Sequence, residues 1–271
     1  MDGALLFGAS LGEALHPMAL IQLNNACLDY PVTGQFSHSI RTHVVQAIGG
    51  RLLGRKGRWP VSWVRALDEI SFEVNKGDRL GIIGHNGAGK TSLLRLMSGA
   101  YSPTAGSVVR AGNVQALTDF TLGMDPNASG LQNIYFRLAF MGFSRKEADS
   151  FVPEIVDFSE LGDFIHYPLH TYSTGMYLRL AFAISTHFEP DILIMDEVLG
   201  AGDARFRLKA EARMNQLIRK ANALVLSSHA ISSIAMYCNR VIVMKSGSMV
   251  FDGGPDEAAM FYRELVAADP G

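Results

Sequence analysis

Long hydrophobic runs are missing from this chain of 271 residues: no stretch approaches the roughly 20 apolar residues that cross a bilayer, so the chain itself is not expected to span one. Cysteine is scarce. Cys27 and Cys238 stand far apart with no metal-ligand spacing, and read as reduced, buried small hydrophobes of a cytosolic protein. An excess of charge is lacking too: 24 Lys and Arg against 26 Asp and Glu leave −2, which argues against nucleic-acid binding through a general basic field. The opening Met1-Asp2-Gly3-Ala4-Leu5-Leu6-Phe7 has an acid where a secretory signal needs basic residues, and Glu13 interrupts its apolar stretch, so no signal peptide is expected. Low-complexity tracts and internal repeats are also absent. What remains is length enough for one large domain or two small ones around a sizeable core.

Against these absences one segment stands out. Residues 84 to 91 read Gly-His-Asn-Gly-Ala-Gly-Lys-Thr, after the apolar run Leu80-Gly81-Ile82-Ile83 and before the helix-forming Ser92-Leu93-Leu94-Arg95-Leu96-Met97. Gly84, Gly89, Lys90 and Thr91 have the spacing of a phosphate-binding P-loop, in which glycines let backbone N–H groups approach a polyphosphate. His85, Asn86, Gly87, Ala88 and Ser92 complete the cradle. The helix that starts here adds unpaired amides and the positive end of its dipole. Lys90 is expected to reach the β- and γ-phosphates and the Thr91 hydroxyl to ligate Mg²⁺, so the ligand is a magnesium nucleotide, ATP in the reading developed below.

Short β-rich runs occur at Ala19–Leu23, Ile70–Val74, Leu80–Ile83, Ser107–Arg110, Asp191–Met195, Ala223–Ser227 and Arg240–Met244, with helical patterns between the later ones. Unbroken apolar strands such as Ile192-Leu193-Ile194-Met195 require burial on both faces, hence a parallel α/β sheet. Between residue 110 and Asp191 the pattern is helical, at 131–141, 145–158 and 175–188, with no convincing strand. An inserted helical subdomain follows, with the β-rich start of the chain as a further layer. From His38 to Arg58, Ile40, Val44, Ile48 and Leu52 recur every four residues among Arg41, Arg51, Arg55, Lys56 and Arg58. This predicts a basic amphipathic helix, either at a membrane surface or packed on the sheet with its charges solvated; Gly49-Gly50 would weaken it by about 1 kcal/mol per glycine.

A second chemical element closes the buried strand at Asp196-Glu197. Asp196 can orient Mg²⁺ and its water, and Glu197 can polarise the attacking water. His229 follows the apolar strand Leu224 to Ser228 and so emerges at the same sheet edge, placed for a γ-phosphate or the water. A third element, Thr171-Tyr172-Ser173-Thr174-Gly175-Met176, opens an apolar helix with hydroxyl and amide donors.

Taken with the P-loop before it and Asp196-Glu197 after it, this third element resembles the signature motif of ATP-binding cassette (ABC) ATPases. Ser173 and Gly175 are kept; Tyr172, Thr174 and Met176 depart from the usual Leu, Gly and Gln. The order of elements over residues 19 to 254 matches that family, which implies a RecA-like P-loop NTPase α/β core (about 19–118 and 190–254), a β subdomain, an inserted helical subdomain (about 119–189) and a short tail, 255–271. The wording at 160–164, 172–176, 179–184 and 200–203 resembles nucleotide-binding subunits that export polysaccharides such as O-antigen, capsule, teichoic acid and cell-wall galactan. In that resemblance Asp119 takes the Q-loop place near the metal, Thr91-Ser92 reverses the commoner Ser-Thr order while keeping both hydroxyls, and Tyr30 is either the aromatic that stacks on adenine or a core tyrosine. The same relatives carry, in the insertion after Tyr30, a helix near the membrane entrance for the glycan.

The resemblance implies two copies head to tail, Ser173 and Gly175 of one completing the site of Gly84 to Ser92 on the other, with Asp203 coupling the two sites. It implies a separate transmembrane permease dimer, contacted around Asp119 to Phe143, a lipid-linked polysaccharide as cargo, and a place on the cytoplasmic face of the membrane. No carbohydrate-binding domain is expected after residue 254, and no nucleic acid as partner. The rival readings are an exporter ATPase for another substrate, a soluble ABC ATPase of DNA repair or translation, and a nucleotide-dependent scaffold. The second usually carries a coiled coil or a second cassette, neither of which fits here, and Glu197 and His229 argue against the third.

Overall fold

Apolar runs without polar interruption need cover on both sides. The computed structural model describes residues 19–32, 51–53, 62–118, 120, 123–196, 204–228 and 231–268. Within them the buried runs Arg79–Ile83 (β4), Ile192–Asp196 (β7), Ala223–Ser227 (β8) and Arg240–Lys245 (β9) join Val114–Leu117 (β6) and Ser248–Gly253 (β10) in one sheet of order β10-β9-β4-β8-β7-β6. It is parallel throughout except for β10, which returns from β9 as a hairpin. Alternation sorts the side chains. Ile82, Ile192, Ile194, Val225, Ile242 and Met244 enter one core with Leu93, Leu94, Leu96 and Met97 of the helix Lys90–Ser98 (α1). Leu193, Met195, Leu224, Leu226, Val241 and Val243 enter the other, with Leu180, Phe182, Phe206, Leu217 and Ile234.

A second, antiparallel sheet covers α1 from its other side. Its strands are Ile21–Val32 (β1), Arg51–Leu53 (β2), Ser62–Val74 (β3) and Ala105–Arg110 (β5), in the order β2-β3-β1-β5. Ile21, Leu23, Leu28, Leu67, Ile70 and Phe72 from this sheet share the core of α1. The helix that begins at Lys90 is thus clamped between two sheets, which holds the loop before it.

Between β6 and β7 lie helices Gly130–Phe140 (α2), Arg145–Ser159 (α3) and Thr174–Ser185 (α4), with 3-10 turns at Gly162–His166 and Leu169–Thr171. Ser129 and Ser144 each form a capping box, with Gln132 and Glu147 as reciprocal partners. Helices Ala204–Lys220 (α5), Ile231–Tyr237 (α6) and Pro255–Ala268 (α7) complete the described elements. The loop before α2 is held by Asn133, which is fully buried: its amide donates to the carbonyls of Asp125, Ala128 and Ser129 and accepts from the Asp125 N–H at 2.7 Å. Asn133→Leu leaves buried backbone groups without partners, so it should lower stability by about 2–4 kcal/mol, read as an earlier urea midpoint.

Several sequence expectations require correction. The stretch between residue 110 and Asp191 does contain a strand: β6 has only four residues, Val-Gln-Ala-Leu, one of them polar, and it lies at the sheet edge and pairs with β7 alone. Over His38 to Arg58 a continuous helix is ruled out at Arg51–Leu53, which pairs antiparallel with Trp63 to Arg65; the pair Gly49-Gly50 just before it fits a helix poorly. The rest of that segment lies outside the described residues. β1 and β3 are much longer than the runs at 19–23 and 70–74, since Asn25 and Glu69 take left-handed backbone (φ 45° and 51°) beside register shifts that break the period of two. The hairpin strand β10 has no β-rich run to announce it; its local signal is the turn Ser246-Gly247, both left-handed.

Candidate active site

Parallel strands deliver their C-terminal ends to one edge, and registry brings the predicted residues there. Ile82 of β4 and Asp196 of β7 both lie level with Ser227 of β8, while Leu117 of β6 lies level with Met195. The loop Gly84 to Gly89 leaves β4 at this edge and enters α1. Gly87 and Gly89 are left-handed (φ 78° and 103°). A side chain at Gly84 would put its Cβ 2.4 Å from the Met244 carbonyl oxygen, and one at Gly89 would lie 2.9 Å from that of Ala66. Only glycine lets the loop lie this close to β9 and β3. The Gly247 amide then donates to the Ala88 carbonyl at 2.9 Å, tying the loop to the β9–β10 turn. His85 and Asn86 face solvent, and the His85 ring lies 2.7 Å from the Asn86 carbonyl through Nδ1.

Lys90 opens α1 and is nearly buried, with its ammonium donating to the carbonyls of Gly84 at 2.7 Å and His85 at 3.0 Å. The loop therefore wraps a positive charge at a helix N-terminus, an arrangement that attracts a polyphosphate. One residue on, the Thr91 hydroxyl donates to Asp196 Oδ2 at 3.0 Å, across 105 positions of sequence. Two hard oxygens at this spacing fit Mg²⁺, which keeps waters and takes phosphate oxygens rather than an all-protein cage. Among the described residues no group of three or more His, Cys, Asp and Glu could hold a metal by itself. Ser92 is buried and receives a hydrogen bond from the Tyr30 hydroxyl at 3.3 Å. Tyr30 is half-buried on β1, packed on the core and beside the phosphate loop at once.

Ser173 lies on the helical block, exposed, with its Oγ capping α4 by accepting from the Met176 amide at 3.3 Å. Gly175 is the second residue of that helix, and a Cβ there would meet nothing nearer than Ser173 Oγ at 3.9 Å. Tyr172, a departure from the usual leucine, has a structural cause: its hydroxyl donates to the Phe164 carbonyl at 2.6 Å, and the site of a Cβ on Gly130 is occupied by that hydroxyl. Burial pushes its pKa up. Asp119, Glu197, Asp203 and His229 lie outside the described residues. The strands that lead to three of them end at Leu117, Asp196 and Ser227 on the edge just described.

Comparison with known proteins agrees with this geometry. Residues 67–200 match the ABC transporter family model. The chain is 44% identical to the O-antigen export system ATP-binding protein RfbE of Yersinia enterocolitica, over 85% of this chain and 96% of that protein. It is 40% identical to the O-antigen export system ATP-binding protein RfbB of Myxococcus xanthus over 80% of this chain, and spans about half of that protein (49%). Among solved structures, the dimeric post-hydrolysis state of the ATP-binding cassette MJ0796 bound to ADP and Pi superposes with a TM-score of 0.60 at 18% identity, covering 87% of this chain and 98% of the other, a likeness of fold.

Proposed function

From the premise that the chain belongs to the ABC transporter family, as a RecA-like ABC ATPase with a β subdomain and helical insertion, we propose that it is the ATP-hydrolysing subunit of an exporter for a lipid-linked polysaccharide. The observation that carries the ATPase reading is the meeting of Thr91 and Asp196 at 3.0 Å beside the glycine-lined loop around Lys90. Glu197, next in the chain to Asp196, accepts a proton from the attacking water; Lys90 and the loop amides hold the triphosphate; His229 hydrogen-bonds the γ-phosphate. Mg²⁺, held by Thr91, Asp196 and Asp119, would supply neutralisation of phosphate charge. The polysaccharide cargo is supported by the near full-length similarity to an O-antigen export protein.

A second copy of the chain is part of this reading. A Cβ on Gly175 would meet only Ser173 Oγ, at an ordinary contact distance of 3.9 Å, so the chain's own packing does not demand a glycine there; close approach of a nucleotide on a partner's P-loop would account for one. Closing around ATP from 1:99 to 99:1 takes roughly 5.5 kcal/mol of differential binding, within reach of a few charge-assisted hydrogen bonds at about 1.5–3 kcal/mol each. The permease is assigned to the helical block, where Phe136, Phe140 and Met141 expose apolar surface, Phe140 to 85%. In cells lacking this subunit, finished lipid-linked glycan is expected to accumulate on the cytoplasmic side, with restoration by the wild-type chain and none by a Lys90→Ala chain. Undiminished surface glycan, or ATPase activity stimulated by DNA or ribosomes with no permease co-purifying, would overturn the transport assignment.

A further inference from the structure

The helix α1 is attached to the candidate site at both ends. Its N-terminus carries Lys90, Thr91 and Ser92. At its C-terminus Gly99 turns left-handed (φ 85°) and donates to the Leu96 carbonyl, and the Tyr101 amide reaches back to the Arg95 carbonyl at 3.2 Å. Arg110 of β5 secures this end: its guanidinium donates to the Met97 carbonyl at 2.7 Å and to that of Leu96. The turn so fixed presents the Tyr101 ring to Tyr30, centroids 5.7 Å apart and planes at 81°. The Arg95 guanidinium lies 5.9 Å from the centre of the Tyr101 ring.

Tyr30 is therefore held twice, through its hydroxyl by Ser92 and through its ring by Tyr101. We propose that Tyr101 is a positioning residue for the nucleotide base: it fixes the plane of Tyr30, so that α1 aligns the phosphate grip at one end with base stacking at the other. The inference rests on the reading of Tyr30 as the base-stacking aromatic. Edge-to-face pairing orients an aromatic ring whose own torsion is otherwise broad and roughly two-fold, and a ring ordered in advance binds its partner without the loss of freedom that a mobile one incurs. Tyr101 stays 39% exposed, so its size is not demanded by a closed core.

The test uses the full chain and two probes, ATP and inorganic tripolyphosphate, with dissociation constants from calorimetry. Tyr101→Leu, which keeps bulk but not the ring edge, should weaken ATP about 2- to 10-fold and leave tripolyphosphate unchanged. Tyr101→Phe should restore wild-type affinity for both. Tyr30→Ala should weaken ATP by a clearly larger factor than tripolyphosphate, which feels only the lost hydrogen bond to Ser92, and adding Tyr101→Leu to it should cost nothing more, because Tyr101 acts through Tyr30. Equal weakening of both probes by Tyr101→Leu would mean damage to the phosphate loop and overturn the proposal, as would unchanged ATP affinity. If Tyr30→Ala weakens ATP while Tyr101→Leu does not, the positioning role alone falls. If Tyr30→Ala changes nothing, the base-stacking reading falls and takes the positioning role with it.

Discussion

Glu197→Gln should leave ATP binding intact and lower steady-state turnover by at least about a hundredfold, the size of effect expected when a positioned general base is lost. Glutamine keeps the shape and hydrogen-bonding reach of glutamate but cannot take a proton from water. Binding should survive because the groups assigned to the triphosphate are elsewhere: the Gly84 to Gly89 loop, Lys90 at the head of α1, and Thr91 against Asp196 at 3.0 Å. With the γ-phosphate retained, the closed pair of chains should persist, so sedimentation in ATP should show a stable dimer of the variant and a monomer after ATP is removed. Normal hydrolysis by the Glu197→Gln chain would refute the assigned role. Loss of ATP binding would show instead that this carboxylate serves the pocket's architecture.

Gly175→Asp gives the second large effect, and it separates folding from assembly. Gly175 is the second residue of α4, after the cap Ser173 and Thr174. A carboxylate in the first turn of a helix interacts favourably with the macrodipole, and replacing glycine removes backbone entropy from the unfolded chain, so the melting temperature should stay level or rise slightly. A Cβ there meets only Ser173 Oγ, at an unstrained 3.9 Å, in the single chain. In the closed dimer the same carboxylate would face the partner's triphosphate. Two like unit charges 4 Å apart repel by about 4 kcal/mol at an effective dielectric constant near 20, which corresponds to a loss of about a thousandfold. ATPase activity should vanish, and the ATP-dependent dimer of the Glu197→Gln chain should no longer form when Gly175→Asp is added. Full activity in a stably folded Gly175→Asp chain would end the shared-site assignment.

Much of the candidate site is legible in the sequence because its chemistry is local. The P-loop, the strand ending at Asp196 and the helix cap at Ser173 each declare themselves within about ten residues, through glycine spacing, apolar continuity and hydroxyl caps. The strands that sequence reading misses or shortens lack such signals. β6 is four residues with a glutamine in it, and β1 and β3 lose their alternation where Asn25 and Glu69 turn left-handed. The basic segment before β3 carries a helical period by composition, but pairing of Arg51–Leu53 with β3 makes that piece a strand.

From residue order alone came the phosphate loop, the buried parallel strands, the helical block and the residue types needed for magnesium and triphosphate, because each depends on neighbours within a turn or a strand. Only tertiary structure decided that Thr91 meets Asp196, that Arg110 locks the far end of α1, and that Tyr101 stands against Tyr30. Those contacts join positions that the chain separates by many residues. Sheet order and registry bring them together, and no local periodicity encodes either one.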